Sequence, residues 1–411
     1  MPGPTCRFCA AVLQHVFVDL GATPLCESYI AGERYDDAEP FYALRAYVCA
    51  ACFLVQLDTL VAATAIFTDY AYFSSYSDTW VERARRYTDD VVGRFGLHRG
   101  SSVVELGSND GYLLQHFVAR GIPVLGIDPA ANVAAAARAR DVPTLARFFD
   151  AATARELVAA GRQADLIAAN NVLAQVPDLH DFVAGLALLL APHGVATVEV
   201  PHLLCLMEEN QFDTIYHEHF SYFSFLTARQ LFAYHGLRCF DVDELPTHGG
   251  SLRLYLCHAD DPTRSTGAAV EELARRERTA GLDHLEAYAA FAERVKEAKR
   301  AILDFLIDAK RRGCTVVGYG APGKGNTLLN YCGVRTDFID YTVDRNPHKQ
   351  GKFLPGTRIP IHPPERISET KPDYLFVLPW NLRDEIMEQM HGIRAWGGRF
   401  VIPIPTLQVL P

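Results

Sequence analysis

The segment YHEHFSYFS, residues 216–224, sets two histidines, one glutamate and two tyrosines within nine positions. So many titratable groups together suit either proton transfer near neutral pH or a metal ion. The helical zinc motif needs histidines at i and i+4, whereas His217 and His219 stand two apart. In an extended segment these two rings share one face, with Tyr216, Glu218 and Phe220 on the other, and a bend undoes that arrangement. The competing reading is a set of buried aromatics and histidines without chemistry.

A better metal site lies near the N-terminus. Cys6 and Cys9 form one C-x-x-C pair and Cys49 and Cys52 a second, while the other six of the ten cysteines are scattered among apolar neighbours. Two such pairs can bring four thiolates around one zinc ion at about 2.3 Å, and four thiolates leave no open position for water, so the zinc is expected to be structural. The 39 residues between the pairs must then form a subdomain whose ends meet. The alternative is four unrelated core thiols.

Two glycine loops follow strand-like runs. In ELGSNDG, Glu105 ends an apolar run, and a turn from Gly107 through Asn109 to Gly111 precedes a helix. The close glycine pair of a dinucleotide fingerprint is missing. An acidic strand end beside a glycine turn suits a ligand with a cationic amino acid, and Asp128 at the end of the next strand is placed to accept both hydroxyls of a ribose. With Asn170 or Asn171 toward the sulfonium, the pattern matches S-adenosylmethionine. The second loop, GYGAPGKG, carries Gly318, Gly320 and Gly323 as a full G-x-G-x-x-G with Asp344 downstream, which a literal motif search reads as NAD. It also nearly spells a phosphate-binding loop, but Gly325 stands where Ser or Thr should hold magnesium. A cradle that holds a diphosphate through backbone N–H groups and Lys324 stands beside a loop whose glycines only pack.

Further hydroxyls come from YAYFSSY: Tyr70 is assigned to the cofactor, and Tyr72 and Ser75 to the substrate. Tyr222 and His248 are added on the substrate side. Arg253, in a strand after the turn His248–Gly250, suits a phosphate or carboxylate, with pairing inside the sheet as the alternative.

These residues need a scaffold. The spacing predicts a helix over 80–97 ending at Gly96, then a strand, glycine turn, helix and strand, which make a right-handed βαβ unit of a doubly wound sheet. ADLIAANNV and GVATVEVP continue that sheet. Residues 268–312 read as long amphipathic helix with a solvated charged face, and strand, loop and helix alternate again beyond it. The expected fold class is α/β: a small zinc-binding domain over 1–65, a Rossmann-like domain over 66–265, and a helical linker with a C-terminal Rossmann-like domain over 266–411.

Length and charge bound the function. The 411 residues suffice for two or three domains. No apolar run reaches the roughly 20 residues of a membrane span. A net charge of -10 disfavours nucleic acid as a partner. The N-terminus shows no basic-then-apolar leader, so a cytoplasmic protein is expected.

Taken in order along the chain, the paired cysteines, YAYFSSYSDTW, ELGSNDGYLL, YHEHFSYFS, HGGSLRLY and GYGAPGKGNTLLNY resemble the S-adenosylmethionine-dependent C-methyltransferases that act on nucleotide-linked 4-keto deoxysugars in antibiotic biosynthesis. The resemblance runs over essentially the whole chain. It implies a zinc-binding domain, a central methyltransferase fold and a C-terminal Rossmann-like domain without a dinucleotide. The substrate's thymidine diphosphate is then expected to be held partly by the C-terminal part, which favours Lys324 as a phosphate ligand over an NAD site. One departure is Gln175, where the family often shows histidine: an amide can hydrogen-bond a sugar but cannot relay a proton.

Methylation at carbon needs a carbon nucleophile, and a ketone makes the neighbouring proton accessible. A positioned base removes the proton at C3 or C5, donors hold the enolate oxygen, and the carbon attacks the sulfonium methyl. The resemblance points to His219 as base, Glu218 as the group that orients or tunes a nearby ring, and Tyr216 as donor to the enolate oxygen. The alternatives are a C-methyltransferase of another enolisable small molecule, an NAD-dependent oxidoreductase, and a non-catalytic zinc-ribbon protein. The sequence leaves the oligomeric state open, with a monomer as the working expectation.

Overall fold

The computed structural model describes residues 3–58, 61–67 and 73–411. Tyr70 and Tyr72 lie outside the described residues. The chain forms two compact units, each assembled from separate stretches. Met1–Leu13, Cys49–His202 and Phe220–His284 make the first, and Gln14–Val48, Leu203–His219 and Leu285–Pro411 the second.

The first unit is built on seven strands: β1 (Val103–Leu106), β2 (Val124–Asp128), β3 (Thr144–Ala146), β4 (Ala164–Asn170), β5 (Leu190–Pro201), β6 (Leu237–Leu245) and β7 (Ser251–His258). They lie in the order β3-β2-β1-β4-β5-β7-β6. Pairing is parallel from β3 to β5, and β7 runs antiparallel to both its neighbours. All four residues of β1 are buried. Apolar VV and L satisfy a strand covered on both faces, and Glu105 is the one carboxylate among them. The strand order reverses beside β1, which opens a crevice at the carboxyl ends of β1 and β4. Helix α1 (Asp78–Phe95) starts on Ser77, whose side chain accepts the Trp80 N–H, and stops at Gly96 with φ 64°. This is the stop that a glycine after an amphipathic run implies.

In the second unit, His15–Thr23 and Tyr42–Val48 pair antiparallel with His15 opposite Val48. That pairing returns the chain to its starting point and lets the two cysteine pairs meet. Six further strands follow: β8 (Val316–Tyr319), β9 (Thr342–Val343), β10 (Ile361–His362), β11 (Tyr374–Val377), β12 (Arg399–Ile402) and β13 (Gln408–Leu410). Their order is β10-β9-β8-β11-β12-β13, parallel except for β13.

The expected long helix is instead three helices, α2 (Ala268–Thr279), α3 (Leu285–Ala289) and α4 (Phe291–Arg311). The break falls at Gly281, which takes φ 80°, a left-handed conformation that no helix continues through. Helix α5 (Gly323–Cys332) follows β8. No helix among the described residues is long and apolar enough to cross a membrane.

Candidate functional site

The four sulfurs of Cys6, Cys9, Cys49 and Cys52 lie within 4.8 Å of one another. Cys6 and Cys52 approach to 3.5 Å and Cys9 and Cys49 to 3.4 Å. The two turns are built alike. The N–H groups of Ala10 and Phe53 donate to the carbonyls of Cys6 and Cys49 at 2.9 and 3.0 Å, and both residues take φ 60°. Gln56 Nε2 donates to the Cys6 sulfur at 3.1 Å, which favours a thiolate. Four zinc bonds of about 2.3 Å put sulfurs about 3.8 Å apart, so the cage fits zinc. Among the described residues it is the one group able to hold a metal ion, and YHEHF forms no second one.

At the head of β1, the Glu105 side chain is fully buried and neither carboxylate oxygen has a hydrogen-bond partner. Burial, reinforced by Asp128 and Asp110, pushes its pKa well above 4.5. Such a group calls for a cationic or donor ligand. Gly107 takes φ 69°, and a Cβ there would meet the Val172 side chain at 2.3 Å, so only glycine serves. Asp128 accepts the N–H groups of Asn109 and Ala130, each at 2.9 Å, which fixes its carboxylate at the strand end with lone pairs to spare. The side-chain oxygens of Ser108, Asn170 and Asn171 are likewise buried without partners. Orphaned polar atoms thus line the carboxyl ends of β1 and β4. They fit the amino acid and ribose of S-adenosylmethionine.

In the second unit, the Tyr216–His219 part of YHEHF does not run extended. The His219 N–H donates to the Tyr216 carbonyl at 2.9 Å, and this turn separates the two histidines. His219 joins Tyr216, with ring centroids 4.3 Å apart and the tyrosine hydroxyl 3.3 Å from Nε2. His217 turns instead to the Ala43 carbonyl at 3.2 Å. Glu218 accepts from the Cys26 thiol at 3.4 Å, while the group orienting the His219 ring is the Thr214 carbonyl, 3.3 Å from Nδ1. A donor at Nδ1 leaves Nε2 as the basic nitrogen. Burial, together with the charge of Lys324, lowers the His219 pKa to about 4. Lys324, half-buried, donates to Asn381 Oδ1 at 2.8 Å and lies 4.6 Å above the centre of the Trp380 ring.

The GYGAPGKG glycines are occupied by the protein itself. Cβ atoms at Gly318, Gly320, Gly323 and Gly325 would meet Thr342 at 2.7 Å, Pro379 at 2.6 Å, Cys26 at 2.9 Å and Leu378 at 2.9 Å. Asp344 accepts from the N–H groups of Ala321 and Asn346 at 2.7 and 2.8 Å. The Ala321 carbonyl takes the Tyr29 hydroxyl at 2.5 Å and Lys349 at 2.9 Å.

Elsewhere, the Ser75 hydroxyl donates to Asp110, and Arg140 contacts both. Tyr222 is buried and pairs with Val55. Arg253 donates through Nε to Glu199 at 2.7 Å, and its guanidinium covers the Tyr87 ring. His248, at φ 55°, meets the Trp80 ring edge-on at 5.2 Å. Gln175 ends a short turn, half-buried, with its N–H on the Val172 carbonyl.

Three family models match successive parts of the chain: "Putative zinc binding domain" at residues 6–67, "Methyltransferase domain" at 80–242 and "C-methyltransferase C-terminal domain" at 246–405. The C-methyltransferase NovU of Streptomyces niveus is 38% identical over 411 residues, which is 100% of this chain and 97% of that one. The chain belongs to the S-adenosylmethionine-dependent C-methyltransferase family.

Among solved structures, the magnesium protoporphyrin IX methyltransferase of Synechocystis PCC 6803 with bound SAM aligns at 16% identity with a TM-score of 0.33. That alignment covers 44% of this C-methyltransferase and 82% of the other chain. A methyltransferase of Clostridium acetobutylicum aligns at 9% identity with a TM-score of 0.35, covering 46% and 92%.

The sequence reading of this C-methyltransferase missed Asp213. The residue is fully buried and accepts the Trp380 indole N–H at 2.7 Å. Burial raises its pKa to about 6, against the charge of Lys324. One signal was present: an aspartate in an aromatic stretch, QFDTIYHEHF, that the core should exclude unless it is paired.

Proposed function

We propose that this C-methyltransferase methylates the carbon beside the ketone of a thymidine-diphosphate-linked 4-keto deoxysugar, at C3 in preference to C5, in antibiotic deoxysugar biosynthesis. The observation that carries the reading is the placement of His219. Its Nδ1 is committed to the Thr214 carbonyl, its Nε2 lies beside the Tyr216 hydroxyl, and Lys324 acts on it electrostatically. A neutral imidazole whose basic nitrogen faces the tyrosine hydroxyl can take the proton, the tyrosine can donate to the enolate oxygen, and the ammonium suits a diphosphate. Glu105, Gly107, Asn109, Gly111, Asp128, Asn170 and Asn171 hold S-adenosylmethionine, whose sulfonium supplies the methyl group. The division at 1–65, 66–265 and 266–411 belongs to the same proposal, as does a cytoplasmic location.

The NAD reading is disfavoured by the second loop, whose glycines face Thr342, Pro379, Cys26 and Leu378 and whose Ala321 carbonyl is held by Tyr29 and Lys349. Arg253 is the weakest of the proposed substrate ligands, because Glu199 already holds it.

Mass spectrometry and NMR of products from a panel of thymidine-diphosphate 4-keto deoxysugars test the substrate and the carbon. The His219→Asn variant should bind S-adenosylhomocysteine normally and lose turnover by about 10²- to 10⁴-fold. It should also lose exchange of the proton beside the ketone with deuterated solvent. Retained exchange would move the base to another residue.

A further inference from the structure

We propose that Asp213 is a positioning residue for Lys324: it fixes the ammonium in place and keeps it charged, so that Lys324 presents a permanent cation to an anionic part of the substrate. This rests on the reading of Lys324 as the substrate's anion ligand.

The argument starts from what Asp213 lacks. It is fully buried, one oxygen accepts the Trp380 N–H at 2.7 Å, and the other has no hydrogen-bond partner. The backbone N–H groups of Asp213 and Thr214 also favour its charged form, but a buried carboxylate stays costly unless a positive charge lies near. Trp380 supplies the connection. Its edge donates to Asp213 while its face carries the Lys324 ammonium at 4.6 Å, and the next residue, Asn381, accepts from that ammonium at 2.8 Å. A tryptophan that donates its N–H to a carboxylate becomes a better cation platform, since the two interactions polarise the ring in the same sense.

The charges support this geometry. Burial lowers the Lys324 pKa and Asp213 raises it, while Lys324 pulls Asp213 down against its own burial. Asn381 is neutral and cannot replace the carboxylate. The titratable groups around Lys324 and Asp213 include His219 with Tyr216 beside it, Cys332, and Cys26 and Glu27 beside Gly323.

The same short turn, Phe212–Thr214, also sets the base. Asp213 holds the Trp380 and Lys324 pair, and Thr214 holds Nδ1 of His219. Phe212 packs its ring 5.4 Å from Tyr331 of α5, the helix that carries Lys324. One turn thus registers the cation against the base.

The test is calorimetric titration of the full chain with thymidine diphosphate and with inorganic pyrophosphate, from about pH 6 to about pH 9. Wild type should bind thymidine diphosphate evenly above about pH 7, where the terminal phosphate is largely ionised, and each variant is compared with wild type at the same pH. Asp213→Asn keeps an acceptor for the indole but loses the charge. It should bind about 10-fold more weakly near pH 8 and recover toward pH 6, because the ammonium then deprotonates at lower pH. Trp380→Phe, which keeps a ring and loses the N–H, should lose about 3-fold. S-adenosylhomocysteine binding within about 2-fold of wild type would show that each variant is folded. Tighter or unchanged binding by Asp213→Asn with a flat pH profile would overturn the assignment. If Lys324→Met binds thymidine diphosphate as wild type does, the anion reading of Lys324 itself fails. If Lys324→Met loses binding while Asp213→Asn does not, only the role of Asp213 fails.

Discussion

The two glycine loops make the same move, a strand that ends in a tight turn before a helix, and differ in how many of their polar groups are left without partners. In the loop after β1, Glu105 has both oxygens buried and unpartnered, and Ser108, Asn170 and Asn171 add further orphaned oxygens. In the loop after β8, where Asp344 is held by two backbone N–H groups just as Asp128 is, the Ala321 carbonyl is held twice, four glycines face side chains of the same unit, and Asn326 Oδ1 is the buried oxygen left without a partner. A glycine motif says only that something approaches the backbone closely. Which loop takes a ligand is decided by the polar groups left without partners. By that measure the loop without the dinucleotide fingerprint is the better candidate for the proposed cofactor site, and the loop with it packs against its own unit.

The sharpest way to break the comparison is Glu105→Gln. The substitution keeps the shape and removes the charge that an amino group would meet. We expect the Kd for S-adenosylhomocysteine to rise about 100-fold, or about 2.7 kcal/mol, by calorimetry near pH 8. Burial raises the Glu105 pKa, so without ligand the native state favours the protonated form. Its contribution to stability is then fully present below the ordinary value of 4.5 and is lost as pH rises through the raised value. A bound ammonium reverses that penalty, so affinity in wild type should increase with pH. In Glu105→Gln the pH dependence should disappear, and the ligand-free variant should melt above wild type near pH 8. An unchanged Kd would remove Glu105 from the cofactor site.

Gly107→Ala comes next in size. It needs φ 69° with a side chain and drives a Cβ to 2.3 Å from Val172, which costs about 1–3 kcal/mol from crowding alone. S-adenosylhomocysteine affinity should fall about 10-fold, and adding Val172→Ala should recover part of it. No recovery would mean that the backbone angle, rather than the valine, sets the cost.

The sequence made one loop more legible than the rest of the site. Glu105, Gly107 and Asp128 are close in the chain and lie on a βα unit whose handedness and strand order follow from general rules. The cysteine cage was legible for the same reason, since each half is local and only the meeting of the halves needed the hairpin. The His219 surroundings were not. The i to i+2 alternation assumed an extended strand, and one backbone hydrogen bond, from the His219 N–H to the Tyr216 carbonyl, turned it into a bend. The partners that matter then come from far away: Trp380 reaches Asp213 across 167 residues. Nothing local in either stretch announces the other. Arg253 shows the converse case: the sequence left a ligand and pairing within the sheet as alternatives, and its Nε donates to Glu199 across 54 residues.

The smallest expected effect on ligands is also the most direct check on the second loop. Asp344→Ala removes the acceptor for the Ala321 and Asn346 N–H groups, leaving two donors without their partner. We expect a loss of about 1–3 kcal/mol in unfolding free energy, seen as a lower melting temperature, and no more than about a 2-fold change in S-adenosylhomocysteine affinity. In a dinucleotide site the same aspartate would accept ribose hydroxyls as well, and its removal would also abolish cofactor binding. The two accounts thus share the stability loss and differ in whether the substitution also removes a ligand. Titration with NAD separates them further: the packed loop predicts no heat with either wild type or Asp344→Ala. NAD binding that Asp344→Ala abolishes would make both glycine loops ligand sites and erase the contrast between them.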